Sequence, residues 1–275
     1  MTESCTETPH GGARVPPRVS VAAVHKSFGT GNSARRVLDG IDVECRAGEF
    51  VAVVGPSGCG KSTLLSLIAG LDTPDDGAVS VDGHPATAGG AAYMPQRDLL
   101  FPWRTILDNA ALALEVRGSS RRDAREQARA LFPVFGLEGF ESARPGQLSG
   151  GMRQRAALLR TVVQNRPVLL LDEPFGALDS LTRSEMHAWL QSVWQRHNWT
   201  TVMITHDVRE ALFLADRVVV LSARPARVQR VVTVDLGRPR TLDVLTDPRF
   251  ADLERSLLGE LHGATLSPPR ATRIE

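Results

Sequence analysis

Apolar residues fall into short runs separated by stretches with helical spacing. Val19-Ser20-Val21-Ala22-Ala23-Val24 predicts a first strand, and Gly40 to Glu44 and Phe50 to Val54 predict two more. The last is continuously apolar, the mark of a strand buried on both faces. Leu64, Leu65, Leu67 and Ile68, ended by Gly70, predict a helix over Lys61 to Ala69. Ala91 to Met94 is strand-like. From about Trp103 to Gln164 the strand signal almost vanishes and two helices are predicted. One opens at Ser120 with Asp123 at the acidic capping position, and carries Ala124, Ala128, Leu131 and Phe132. Strands resume at Val168 to Leu171, Thr201 to Ile204 and Val218 to Leu221, separated by helical stretches, which implies parallel β-α-β units. The sheet is thus assembled from both sides of a helical insertion. After Ala223 come a shorter strand-like piece, Val228 to Val234, and a helix from Asp247 to Leu261.

Composition narrows the class. The 275 residues are 42% hydrophobic and 23% charged, and can bury a substantial core. The net charge of +1 offers no electrostatic case for a nucleic-acid partner, and none is expected. Cys5, Cys45 and Cys59 form no C-x-x-C pair and no histidine cluster has metal-ligand spacing, which argues against a zinc site or disulfide framework. Residues 1–17 mix Thr, Gly, Pro and Arg without periodicity and are expected to form a disordered tail. The opening lacks the layout of a secretion signal, and the longest apolar runs are too short to span a bilayer as helices. A cytoplasmic location follows as an expectation, with any membrane role supplied by a partner. Arg121, Arg122 and Arg125 read as a solvated helix face.

The chemistry begins after the Phe50 to Val54 run. Gly55-Pro56-Ser57-Gly58-Cys59-Gly60-Lys61-Ser62-Thr63 fits G-x-x-x-x-G-K-[ST] between a buried strand and a helix. Glycines let backbone N–H groups wrap phosphate oxygens, and the helix start adds its positive end. Lys61 is expected to reach the β and γ phosphates of ATP, and Ser62 to offer a hydroxyl to Mg²⁺. Cys59 holds a variable position in the motif. Val168-Leu169-Leu170-Leu171-Asp172-Glu173 is an apolar strand ending in two carboxylates, where ligands of open α/β sheets collect. Asp172 suits the magnesium shell, through water. Glu173 suits activation of the attacking water, a role worth about 10² to 10⁴ in rate. Ser149-Gly150-Gly151 opens a helix bearing Met152, Ala156, Leu159 and Val163, a second place where free N–H groups could meet an anion.

Leu148-Ser149-Gly150-Gly151-Met152-Arg153-Gln154-Arg155 resembles the signature motif of ABC-type ATP-binding subunits, and the other motifs of that family stand in the expected order. Gln96 matches the Q-loop glutamine, a further candidate metal and catalytic contact. Ala177-Leu178-Asp179 matches the D-loop, and His206 the switch histidine at the γ phosphate. Phe28 occupies the place of an aromatic that stacks on adenine. Taken alone, His206 could be a strand-end core histidine, Phe28 could be packing, and Asp207 with Glu210 reads first as a helix cap.

The resemblance implies an α/β fold: a P-loop NTPase cassette over residues 18–235 with a mostly parallel core sheet, a small antiparallel β part and an inserted helical subdomain at about 97–164. Residues 236–275 would form a helical extension and tail, and the stretch after Ala223 is expected to be too short for a regulatory domain with its own core. It also implies an ATP-bound homodimer in which the signature of one copy closes over the phosphate loop of the other. Arg97 to Asn109 and Leu171 to Asp179 are similar to bacterial importers of the nitrate, sulfonate and taurine group. Such subunits serve membrane permeases and, indirectly, an extracytoplasmic solute-binding protein. Leu99, Leu100, Phe101 and Trp103 would then form an exposed docking surface, or pack inside the insertion. The alternatives are a soluble ABC-type ATPase and a subunit that binds ATP without hydrolysing it. The first lacks its tandem cassettes or heptad coiled coils here, and the second would have lost Glu173 or His206.

Overall fold

The computed structural model describes residues 16–176 and 178–266. The predicted tail at 1–17 lies, apart from Pro16 and Pro17, outside the described residues, as does Ala177. In chain order the elements are β1 (Val19–Phe28), β2 (Arg35–Cys45), β3 (Phe50–Val54), α1 (Lys61–Ile68), β4 (Asp76–Val81), β5 (His84–Pro85), β6 (Ala92–Met94), α2 (Ile106–Val116), α3 (Arg121–Leu131), α4 (Gly150–Val162), β7 (Val168–Asp172), α5 (Ser180–His197), β8 (Thr200–Ile204), α6 (Val208–Leu214), β9 (Arg217–Leu221), β10 (Val228–Thr233) and α7 (Pro248–Leu266).

Two sheets organise them. The larger has the order β10-β9-β3-β8-β7-β6, parallel throughout except for the antiparallel edge strand β10. The smaller, β2-β1-β4-β5, is antiparallel. Both faces of the parallel sheet are covered, and successive residues feed different cores, as the two-residue repeat of a strand requires. Phe50, Ala52 and Val54 join Leu169, Leu171 and Met203 in a core shared with the helical insertion and the C-terminal helices. Val51, Val53, Val168, Leu170, Val202 and Ile204 join the opposite core, beneath α1 and the antiparallel sheet. That double burial is why these strands read as unbroken apolar runs.

The insertion consists of α2, α3 and α4, with no strand between β6 and β7. Ser120 caps α3 by accepting from the Asp123 N–H, as its sequence predicts, and Thr105 does the same for α2 through the Asp108 N–H. Asp207 caps α6 by accepting from the N–H groups of Arg209 and Glu210.

Residues beyond the last strand are fastened to this frame. Phe250 and Leu257 of α7 are buried in the same core as β3 and β7. Arg240 is 3% exposed and donates to the carbonyls of Leu212 (2.9 Å), Phe213 (3.3 Å) and Ala215 (2.7 Å), the acceptors that the end of α6 leaves without helical partners. It also donates to Val234 and Leu236, while Gln191 bonds its backbone from both sides. Burial pushes the guanidinium pKa down to about 10, so it remains charged at neutral pH. Arg240→Met would strand several buried carbonyls at about 1 to 3 kcal/mol each before relaxation. The expected net loss is about 3 kcal/mol, or about 6 to 12 °C in melting temperature by calorimetry. A change under about 2 °C would show that other donors replace it.

Candidate functional site

Three strands of the large sheet end side by side. β3 runs into the glycine loop and α1, β7 into Asp172 and Glu173, and β8 into Thr205 and His206. Between them opens a cleft of about 550 Å³, lined by Ser57, Gly58 and Gly60 to Thr63 of the loop and α1, with Arg224 beside them, and by Gln96, Glu173 and His206. The turn into α1 depends on Gly60. Its φ is +127°, and a Cβ there would lie 2.8 Å from the side chains of Val37 and Leu38. Lys61 is buried with its ammonium inside the loop, donating to the carbonyls of Gly55 (2.9 Å) and Pro56 (3.0 Å). Burial pushes the Cys59 thiol pKa up, so this thiol stays protonated and inert.

The two carboxylates differ in environment. Asp172 is 4% exposed and accepts from the Ser62 hydroxyl at 3.2 Å and the Tyr93 hydroxyl at 3.3 Å. Burial is the largest influence on its pKa and moves it up, and the two hydroxyls only partly offset this. Tyr93 is itself pushed up to about 12 by burial and by the neighbouring Asp172 charge. Glu173 sits at φ +45°, a left-handed conformation that costs a non-glycine residue about 1 to 3 kcal/mol. Its N–H donates to the Ile204 carbonyl at 2.9 Å, which ties the kink to β8. The Glu173 Oε2 accepts from Gln96 Nε2 at 3.0 Å and lies 3.4 Å from His206 Nδ1. Gln96, Glu173 and His206 therefore meet at one oxygen atom, opposite the glycine loop.

Other predicted residues lie elsewhere. Ser149 and Gly150 are exposed at the start of α4, where the Ser149 hydroxyl accepts from the Met152 N–H. Neither they nor Gly151 line the cleft. Gly151 is packed so closely on α5 that a Cβ would come within 2.8 Å of Thr182. Asp179 caps α5 through the Thr182 N–H, and that bond draws its pKa down. Phe28 ends β1 half-exposed, outside the cleft lining, with the Lys26 ammonium 5.3 Å from its ring centroid. Leu99, Phe101 and Trp103 are exposed, whereas Leu100 is buried in the core and is withdrawn from the exposed group. Two residues at the site escaped the sequence reading. Arg224 reaches from the β9 to β10 connection to donate to the Gly58 carbonyl at 2.6 Å, and Tyr93 supports Asp172. Tyr93 carried a faint signal, as the only tyrosine of the chain within a strand-like run, and Arg224 carried none.

Among the described residues no cluster of three or more His, Cys, Asp or Glu could hold a metal unaided. Ser62 and Asp172 do present two adjacent oxygens beside the loop, the partial set a hard cation completes with phosphate oxygens and water. The raised Asp172 pKa has a consequence for stability. Its ionised form is penalised only in the folded chain, so the penalty is absent below the ordinary carboxylate range and accrues as pH rises through the raised value. Ligand-free Asp172→Asn should therefore melt above the parent at about pH 7, the gap closing near about pH 4. A lower melting point at neutral pH would mean that the Ser62 and Tyr93 hydrogen bonds outweigh desolvation.

Comparison with known proteins agrees with this architecture. The ABC transporter family profile matches residues 38–176. An uncharacterised ABC transporter ATP-binding protein of Methanocaldococcus jannaschii is 42% identical, over 92% of this chain and 94% of its own length. A nitrate import ATP-binding protein of Synechocystis is 44% identical over 82% and 88%, and an aliphatic sulfonates import ATP-binding protein of Burkholderia ambifaria 42% over 90% and 74%. A solved bacterial ABC transporter cassette, dimeric in its structure, superposes with a TM-score of 0.70 at 29% identity, covering 80% of this chain and all of that one. The same cassette in a post-hydrolysis state with ADP and phosphate gives 0.70 at 30% with the same coverage. With its phosphate loop, its parallel sheet and these relatives in agreement, the chain belongs to the ABC transporter family, as one of its ATP-hydrolysing cassettes.

Proposed function

We propose that this cassette drives a bacterial importer of a small solute, closing as an ATP-bound homodimer and reopening after hydrolysis. The observation that carries the catalytic part is the meeting of Gln96, Glu173 and His206 at one carboxylate oxygen across the cleft from Lys61. In this reading the N–H groups of residues 55–63 and the Lys61 ammonium hold the phosphates. Ser62 and Asp172, with Gln96 nearby, hold Mg²⁺, which supplies charge neutralisation on the phosphate oxygens when bound. Glu173 accepts a proton from the attacking water. His206 orients that carboxylate and contacts the γ phosphate. The strained Glu173 backbone supports an assignment to chemistry, since such conformations persist where surrounding structure enforces them for a purpose.

A split site accounts for the exposed Ser149 end of α4. That helix start lies outside the lining of the chain's own cleft, where a second copy could use its N–H groups. Asp179 would lie at the same seam, and Phe28 would take the adenine on its exposed ring. The importer assignment rests on the named relatives and on Leu99, Phe101 and Trp103, exposed apolar side chains suited to a short helix of a membrane permease. Among the described residues no helix is long and apolar enough to cross a membrane, so attachment would be peripheral, at the cytoplasmic face and through that permease. An external binding protein would select the cargo, in the chemical range of nitrate, sulfonates and related small organic molecules. A soluble ABC-type ATPase is the alternative reading.

Glu173→Gln should cut turnover about a hundredfold or more while sparing ATP binding, because it keeps the shape and removes the base. The same variant should run as a dimer in gel filtration with ATP and Mg²⁺. Near-normal turnover would remove Glu173 from the mechanism, and a persistent monomer would count against the split site. Purification from membranes in mild detergent should bring down a multi-span membrane protein. Ribosomes or DNA in its place would favour the soluble alternative.

A further inference from the structure

We propose that Thr205, Glu210 and His187 form a buried brace that sets the position of His206, making them positioning residues for hydrolysis. The inference rests on the reading of His206 and Glu173 given above. The His206 side chain is about half exposed and lies 3.4 Å from the Glu173 carboxylate. Its two neighbours are held firmly. Thr205 is 1% exposed; its hydroxyl donates to Glu210 Oε2 and accepts from the Asp207 N–H at 3.0 Å. One hydroxyl therefore spans the histidine, fixing the residue before it and the residue after it.

Glu210 is 4% exposed on α6, a carboxylate taken out of water with one oxygen satisfied by Thr205. Its other oxygen has no hydrogen bond and faces His187 Nε2 of α5 at 3.6 Å, which is also buried and without one. The His187 ring is packed against Phe175 at 5.2 Å and Phe213 at 6.0 Å between centroids, which holds the imidazole in line with the carboxylate. Phe175 stands two residues after Glu173, so the same ring touches the segment leaving the proposed base. A buried carboxylate this poorly served costs stability, and an apolar side chain would fill the space better. Arg183 of α5 adds a second tie across the turn, 3.7 Å from Asp207. The brace thus joins α5, α6 and the end of β8 around the one residue that must hold its place against Glu173.

Thr205→Val keeps the volume and removes the donor and the acceptor. It should lower kcat about tenfold, leave the KM for ATP within about twofold and shift melting by less than about 3 °C. Thr205→Ser should restore kcat to within about twofold. Glu210→Leu should reproduce the kcat loss and provides a second measurement if the valine variant folds poorly. In a His206→Ala background, Thr205→Val should cost nothing more, since both changes disable the same group. Multiplicative losses in that double variant, a matching fall in melting temperature or a serine variant no better than valine would overturn the brace. Full turnover by His206→Ala alone would instead overturn the role given to His206.

Discussion

The parallel pairing of β3, β8 and β7 is the constraint on which the site depends. Ile204 of β8 lies opposite Val53 on one side and Asp172 on the other. One cross-strand row therefore brings the start of the glycine loop, the Asp172 carboxylate and the Thr205-His206 turn to a common edge, with neighbouring strands about 4.8 Å apart. Facing is set by the same register. Asp172 continues the face of Val168 and Leu170, which α1 covers, and so meets Ser62. A one-residue slip of β7 would put Leu171 against Ser62 and drive a carboxylate into the opposite core. The apolar residues that lock the register thereby protect the chemistry as well as the fold.

Glu173 lies just past this row, and its position is a departure from it. Continuing the strand would turn its side chain toward the core of Leu169 and Leu171. The left-handed backbone, anchored by the bond to the Ile204 carbonyl, holds the carboxylate at the cleft with Gln96 and His206. Gln154 of α4 donates to the carbonyl of Pro174, the next residue along. The helix that begins at the signature serine is therefore bonded directly to the segment carrying Glu173, within one chain.

Legibility in the sequence followed burial. β3 was readable to its end residues because all five are buried, and the capped starts of α3 and α6 were readable because caps use local chemistry. β4 was missed: only Val79 and Val81 are buried, and Gly77, its second residue, sits at φ +84°. Tyr93 looked like one more apolar residue of a strand. Its function comes from pairing with Leu170 on β7, which places its hydroxyl on the face of Asp172. Arg224 and His187 gave no warning, because their partners lie far along the chain. Contacts between remote segments are what a single sequence conceals.

The loop after Gln96 shows how a choice left open by the sequence is closed by polar bonds. Asn109, 1% exposed, accepts from the Phe101 N–H at 2.7 Å and donates to the Phe101 carbonyl at 3.1 Å. Arg160 donates to the carbonyls of Leu99 and Asp98, and Leu99 adopts φ +46°. These restraints turn Leu100 inward and leave Leu99, Phe101 and Trp103 outside, with the Phe101 and Trp103 rings 5.0 Å apart. Exposing large apolar side chains forgoes about 1.5 to 3 kcal/mol for each that could be buried. A flexible loop would fold such residues inward. This one is bonded so that it cannot, and a partner that covers it would meet a surface already ordered, with little conformational entropy left to lose on binding.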